Sequence, residues 1–268
     1  MLAPNFTANE FLKHRSVTTL ETVQKFQQFR DRQKKPVKLM SVKKKGKILT
    51  TTGKTRTGDS FSTKVDIRAS IPIYGYNAAL PDSIVREIYY GNGLSDISTV
   101  DKLLIAALCQ NGYHEGPKNK TPFGEAMGLN NTPWCAIFFH WCLHRADPLY
   151  PIPFKPEFSN SRYTLENAPT VVTDPALFKS GSAVVWKRKA SSVAGHTAIL
   201  LHNDTEKEEM LFIEGNISDK VRVKKRSYYE LTYGHLELYG AAQYLPEAAS
   251  DCFKNVLLEG SVKNETYT

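Results

Sequence analysis

Apolar residues fall three or four apart at Leu20, Val23, Phe26 and Phe29, one stripe along a helix, and predict helical structure over 7–33. Thr18 or Thr19 suits its N-cap, Glu21 stands in the first turn, and Pro36 ends it. The pattern then turns β-like. "VKLMSV", a Lys-Lys-Lys-Gly turn at Gly46, "KILTTT" and "SFSTKVDIRASI" predict a hairpin with a third strand, and "GYNAALPDSIV" a connection. Helical spacing returns over 100–111, with Ser98 and Thr99 as N-cap candidates and Gly112 as the stop. "HEGPKNKTPFGEAMGLNNTP" reads as a loop from its Gly, Pro and Asn content. A nearly all-apolar helix from Trp134 to Arg145 follows, then a Pro-rich loop over 147–160 and a short helix near 160–167. The remainder reads as strands: "SAVVWKR", "GHTAILLHN", "MLFIEGN", "KVRVKKRSY" and "LELYGAAQYL". Helices followed by a run of strands predict an α+β fold, helices packed on an antiparallel sheet.

Composition narrows the class. The 41% apolar and 11% aromatic content suits a folded chain of 268 residues. No apolar run reaches the ~18 residues of a membrane span. The opening "MLAPNFTANEFLKHRSV" lacks the basic-then-apolar layout of a secretory signal. The expectation is synthesis in the cytoplasm and delivery to a wall or periplasm by lysis or a secretion system. Cys109, Cys135, Cys142 and Cys252 show no Cys-x-x-Cys pairing, which argues against a disulfide scaffold or a structural zinc site.

The net charge of +8 is concentrated. Residues 33–58 carry Lys34, Lys35, Lys38, Lys43, Lys44, Lys45, Lys47, Lys54 and Arg56 and no acid, so the rest of the chain is near neutral. Three readings stay open for this segment. It is a solvated hairpin, a binder of an anionic envelope polymer or membrane, or a nucleic-acid binder. No nucleic-acid module or stacking pattern accompanies the charge.

The candidate chemistry centres on Cys135. Pro133 suits a first helical turn, Asn131 or Thr132 suits the cap, and a cysteine just beyond gains from free backbone N–H groups and the helix dipole. Such positions bring a thiol pKa down to roughly 3.5–7.5. A thiolate nucleophile needs a base and a group that orients it. His196 opens one strand; Glu214 and Asn216 close the next, and a turn between them would make the strands neighbours. His140 and His144, four apart, have metal-ligand spacing but lie about 140° and 180° around the helix from Cys135 and lack a third ligand.

Taken together, these segments resemble the CHAP domain, the cysteine- and histidine-dependent amidohydrolases and peptidases of the NlpC-type papain-like group. "IAALCQNGYHEGPKNKTPFGEAMGLNNTPWCAIFFHWCL" is similar to that family's leading segment and nucleophile helix, "GSAVVW" to its first core strand, "GHTAIL" to its histidine strand and "IEGN" to the strand that follows. The resemblance spans roughly 100–245, with one departure: Gly181 is followed by Ser182 where the family has Asp.

The resemblance implies a papain-like α+β domain over 95–247, preceded by a helical segment (1–35) and a basic β-rich accessory region or linker (36–94), with a tail over 248–268. It implies Cys135 as nucleophile, His196 as base and then acid, and Glu214 as orienting residue, with Asn216 assisting or replacing it. Tyr113, Glu115 and Trp134 are candidates to line the cleft. The implied function is hydrolysis of a peptidoglycan amide, as a phage lysin or bacterial wall enzyme, without metal or other cofactor. The alternatives are an injected antibacterial effector with an immunity partner, or a binding protein on an inactive scaffold.

Overall fold

Most of the predicted strands form one antiparallel sheet. The structure is a computed structural model that describes residues 18–22, 25, 37–46, 48–55, 58–66, 71–75, 98–147, 156–188, 191–232 and 234–246. Strands β6 (Thr170–Val172), β7 (Ala183–Arg188), β8 (Ser191–Asp204), β9 (Glu209–Ile217), β10 (Lys220–Ser227) and β11 (Leu236–Gln243) lie in the order β10-β9-β8-β7-β11-β6. Every neighbouring pair is antiparallel. β6 was not anticipated. Three residues are too few to show a period, and what makes them a strand is pairing with Ala241–Gln243 of β11.

The helices lie on this sheet. They are α1 (Thr99–Leu108), α2 (Pro122–Met127), α3 (Cys135–Ala146) and α4 (Ser161–Glu166). The fold is therefore mixed α+β with antiparallel sheets. Alternation along β7 explains its unbroken apolar run. Ala183 and Val185 join the core beneath α1 and α3, while Val184 and Trp186 join a second cluster with Ala198, Leu200, Met210 and Phe212. A strand covered on both faces cannot alternate apolar with polar. Phe178 and Leu231 close the second cluster.

Two local expectations need correction. The stretch 114–133 is not all loop, since it holds α2. Thr121 Oγ1 accepts from Gly124 N at 2.9 Å, Pro122 takes the first turn, and Gly128 (φ 67°) ends the helix. Capping of both ends outweighs a Gly- and Pro-rich composition. The cap expected at Asn131 or Thr132 is also displaced. Trp134 is the N-cap of α3, with no side-chain bond to the helix N–H groups, and Thr132 Oγ1 donates to Leu129 O instead.

The N-terminal region contributes a second sheet, β2 (Val37–Lys45), β3 (Ile48–Thr55) and β4 (Ser60–Asp66), antiparallel in that order, with Gly46 at φ 58° in the first turn. This matches the expected hairpin and third strand. Thr18–Thr19 (β1) pairs with Pro72–Ile73 (β5). Leu20–Thr22 and Lys25 are helical, and Thr19 Oγ1 accepts from Thr22 N at 3.2 Å. Val23, Phe26 and Phe29 of the predicted stripe, and Cys252, lie outside the described residues. Leu20, Phe61, Ile71 and Ile73 belong to the same apolar cluster as α1 and α3, and Gln110 bridges Pro72 O (2.7 Å) and Tyr74 N (2.8 Å). These parts of the N-terminal region thus share the main core.

Phe123 of α2 is the hub of that core. Its ring lies 5.0–6.0 Å from those of Tyr74, Tyr113, Trp134, Phe138 and Trp141, and it has no exposed surface. Aromatic contacts add to the area each ring buries. Phe123→Ala is expected to destabilise the protein by about 3–5 kcal/mol. Urea unfolding checks this: the midpoint should fall with the slope unchanged.

Candidate active site

Cys135 is the first residue of α3. The first intrahelical bond of this helix runs from Phe138 N to Trp134 O (2.9 Å), so the N–H groups of Cys135, Ala136 and Ile137 precede the ladder. No side chain caps them, so they are open donors at the positive end of the helix.

Two glycines permit close packing on the sheet, Gly215 under α3 and Gly195 under the start of α4. A Cβ at Gly215 would fall 2.8 Å from Phe138 Cβ and 2.9 Å from Trp134 Cζ3. A Cβ at Gly195 would fall 2.5 Å from Trp186 O and 3.1 Å from Ser161 Cβ. These are the glycines of "AGHTAIL" and "IEGN", each next to a residue of the site.

β8 begins at Ser191, five residues before the strand start expected at His196. His196 hydrogen-bonds the Cys135 thiol. Its Nε2 lies 2.8 Å from Glu214 Oε2. An ionised carboxylate only accepts, so Nε2 carries the proton and Nδ1 is left for the sulfur. β8 and β9 pair with Ala198 opposite Glu214, which makes the expected neighbours. Glu214 is the group that fixes the imidazole. Asn216 stands at φ 62° near the end of β9.

Three further residues were not anticipated. Arg226 Nη2 donates to Glu214 Oε1 at 2.9 Å, so each carboxylate oxygen has its own cation. The Trp186 ring lies against both, 6.0 Å from the imidazole centroid and 5.9 Å from the guanidinium carbon, and its Nε1 donates to Leu231 O. Ser161 Oγ lies 3.7 Å from Cys135 Sγ. Arg226 is hidden in the sequence because it stands in a basic strand among Arg222, Lys224 and Lys225. Ser161 offers no signal beyond a helix start.

The electrostatics follow from this packing. Burial pushes the Cys135 thiol up, but the hydrogen bond and charge of His196, with Ser161 and the Thr197 backbone, bring it down to about 7. Burial pulls His196 down, but Cys135 and Glu214 raise it to about 9. Burial pushes Glu214 up, and His196 and Arg226 more than offset this, holding it below the usual carboxylate range. The outcome is a thiolate–imidazolium pair between pH 7 and 9. By contrast, burial pushes the Cys109 and Cys142 thiols far up.

The three residues expected to line a cleft belong to one packed and hydrogen-bonded cluster. Trp134 is fully buried and Tyr113 nearly so, their rings edge-on at 6.0 Å. Glu115 Oε2 accepts from the Trp134 indole and Oε1 from Asn119 N, while Glu115 N donates to Asp219 O. Gly112 N and Tyr113 O pair with Val221. These residues fasten the segment before α3 to the β9–β10 hairpin, and so place the N-cap. Removing the acceptor with Glu115→Ala leaves a buried indole N–H unpaired and should cost about 1–3 kcal/mol. Glu115→Gln keeps an acceptor and should cost less, and thermal melts of the two variants check the order.

His140 is buried, its Nε2 lies 3.1 Å from Thr164 Oγ1, and burial pulls it down to about 3. His144 is exposed. Among the described residues no helix is long and apolar enough to cross a membrane.

No family model matches the chain, and no curated protein or solved structure matches it either.

Proposed function

We propose that the protein is a papain-like cysteine amidohydrolase of the CHAP type that cuts an amide bond of peptidoglycan. The observation that carries the amide chemistry is the buried Cys135–His196–Glu214 chain at the N-terminus of α3. What supports peptidoglycan as substrate is the resemblance of the Pro-Trp-Cys-Ala, Gly-His and Glu-x-Asn segments to wall-cutting enzymes of that group.

The reaction then runs in two halves. The Cys135 thiolate attacks the amide carbon, forming a C–S bond while the carbonyl π pair moves to oxygen. The N–H groups of the first turn of α3 hold that oxyanion. His196 gives its proton to the leaving nitrogen, and the C–N bond breaks. Water enters, loses a proton to His196, and attacks the thioester; the acid departs, and the thiolate–imidazolium pair is restored. Glu214 keeps the imidazole in one tautomer throughout, and Arg226 keeps Glu214 ionised. No step needs an oxidant, a metal or an organic cofactor.

The test is mass spectrometry of purified sacculi after digestion. New amine and carboxyl termini in the stem, the cross-bridge or the sugar–peptide link are the expected result, and their position names the bond. Intact sacculi after prolonged incubation at pH 8 would sink the proposal.

A further inference from the structure

The basic segment becomes a surface when its register is read across the second sheet. Lys43 of β2 stands opposite Thr50 of β3, and Thr50 opposite Lys64 of β4. Residues directly opposite share a face, as do residues two apart on a strand. By register one face therefore carries Lys38, Ser41, Lys43 and Lys45, then Ile48, Thr50, Thr52 and Lys54, then Ser60, Ser62, Lys64 and, at the end opposite Ile48, the single acid Asp66. The Ser41–Thr52 hydroxyl contact at 2.7 Å spans this face. Lys43, Lys45, Lys54 and Lys64 are all exposed. The other face carries Leu49 and Phe61, both buried. Lys25 adds a cation at the rim, its Nζ donating to Lys64 O at 3.0 Å. Residues 37–66 hold two acids, Asp59 in the turn before β4 and Asp66 at its end.

We propose that this outer face of the β2–β4 sheet docks a phosphodiester-linked glycopolymer of the cell envelope. The cationic face stands on its own geometry; the choice of an envelope polymer rests on the peptidoglycan reading. Lys43 and Lys45 are about 7 Å apart along β2, and Lys64 lies about 10 Å across from Lys43, so several phosphates of one chain are met together. The intervening hydroxyls of Thr50, Thr52, Ser60 and Ser62 suit phosphate oxygens and sugar hydroxyls. Nucleic acid fits less well. Single strands are held by aromatic platforms, and the sheet's described aromatic, Phe61, is buried on the opposite side. A lipid surface fits less well too, since among the described side chains Ile48 is the only large apolar one on this face.

The experiment uses the full chain carrying Cys135→Ala, so that nothing is cut during binding. Fluorescence anisotropy with labelled poly(glycerol phosphate) is followed over a salt series, with neutral dextran, single-stranded DNA and a DNA duplex as competitors. Replacing Lys43, Lys45, Lys54 and Lys64 with Gln should lower affinity at least tenfold. The slope of log K against log salt should flatten by about 3, four contacts at about 0.7–0.9 each. Lys118, Lys120, Lys179 and Lys225 changed to Gln make a control of equal charge on the catalytic side, and it should bind as the parent does. Thermal melts confirm that both variants fold. The proposal is overturned if the sheet variant binds as tightly as its parent, if the control loses as much, or if either DNA outcompetes the glycopolymer. A failure of the hydrolysis reading leaves these binding results standing, so the two are told apart.

Discussion

Cys135→Ala should leave a folded protein whose rate on purified sacculi is lower by about 10⁴-fold or more, the loss seen when a nucleophile is removed from a cooperating set. The sulfur makes a single long contact with Ser161 and one with His196, so its removal disturbs little packing. His196→Ala should match it, because a thiol without a base beside it loses its thiolate at neutral pH. Cys109→Ala and Cys142→Ala should retain activity, since both thiols are buried away from the site and held protonated. Iodoacetamide at pH 8 provides an independent reading. Cys135 should be alkylated far faster than Cys109 or Cys142, because the thiolate is the reacting form. Hydrolysis by the Cys135→Ala protein would end the mechanism.

The pH dependence should be equally marked. Below pH 7 the thiol is protonated, and above pH 9 the imidazolium is lost. On a soluble stem peptide, kcat/KM should therefore form a bell with its plateau between these values. The two limbs belong to the coupled pair rather than to either residue alone. Glu214→Gln removes the negative charge that raises His196, so the upper limb should move down. A weaker imidazolium in turn stabilises the thiolate less, so the lower limb should move up. The plateau narrows and the rate at pH 8 falls by about 10²-fold, less than for the nucleophile, because an orienting carboxylate matters less than the proton carrier. Arg226→Lys should keep most of the native profile. Arg226→Met should shift it as Glu214→Gln does, because a buried carboxylate that loses one of its two cations is costly to keep ionised. An unchanged profile in Glu214→Gln, together with loss of activity in Asn216→Ala, would move the third role to Asn216.

How much of this was legible in the chain follows from the range of each interaction. The Cys135 helix, the His196 and Glu214 strands and the three-stranded basic sheet are encoded by local spacing, because a period of two or 3.6 residues is visible in a short window. The glycines beside His196 and Glu214 are also local, though their reason is not: only the approach of Phe138, Trp134 and Ser161 shows why a side chain cannot stand there. Helix α2 was missed because its evidence lies in two caps rather than in a period.

Local signals mark which thiol and which imidazole could meet: Cys135 opens α3, and His196 follows a glycine within an apolar strand. The tertiary structure alone decided what surrounds them. Arg226 becomes the second cation of Glu214 through pairing twelve residues away, and Ser161 reaches the sulfur across twenty-six. Glu115, Tyr113 and Trp134 fasten the α3 N-cap through Asp219 and Val221, in a hairpin about a hundred positions later. Lys43, Lys45, Lys54 and Lys64 form one face only after three strands take register. Composition reveals that charge is present, but long-range pairing sets where it points, and no local window contains that information.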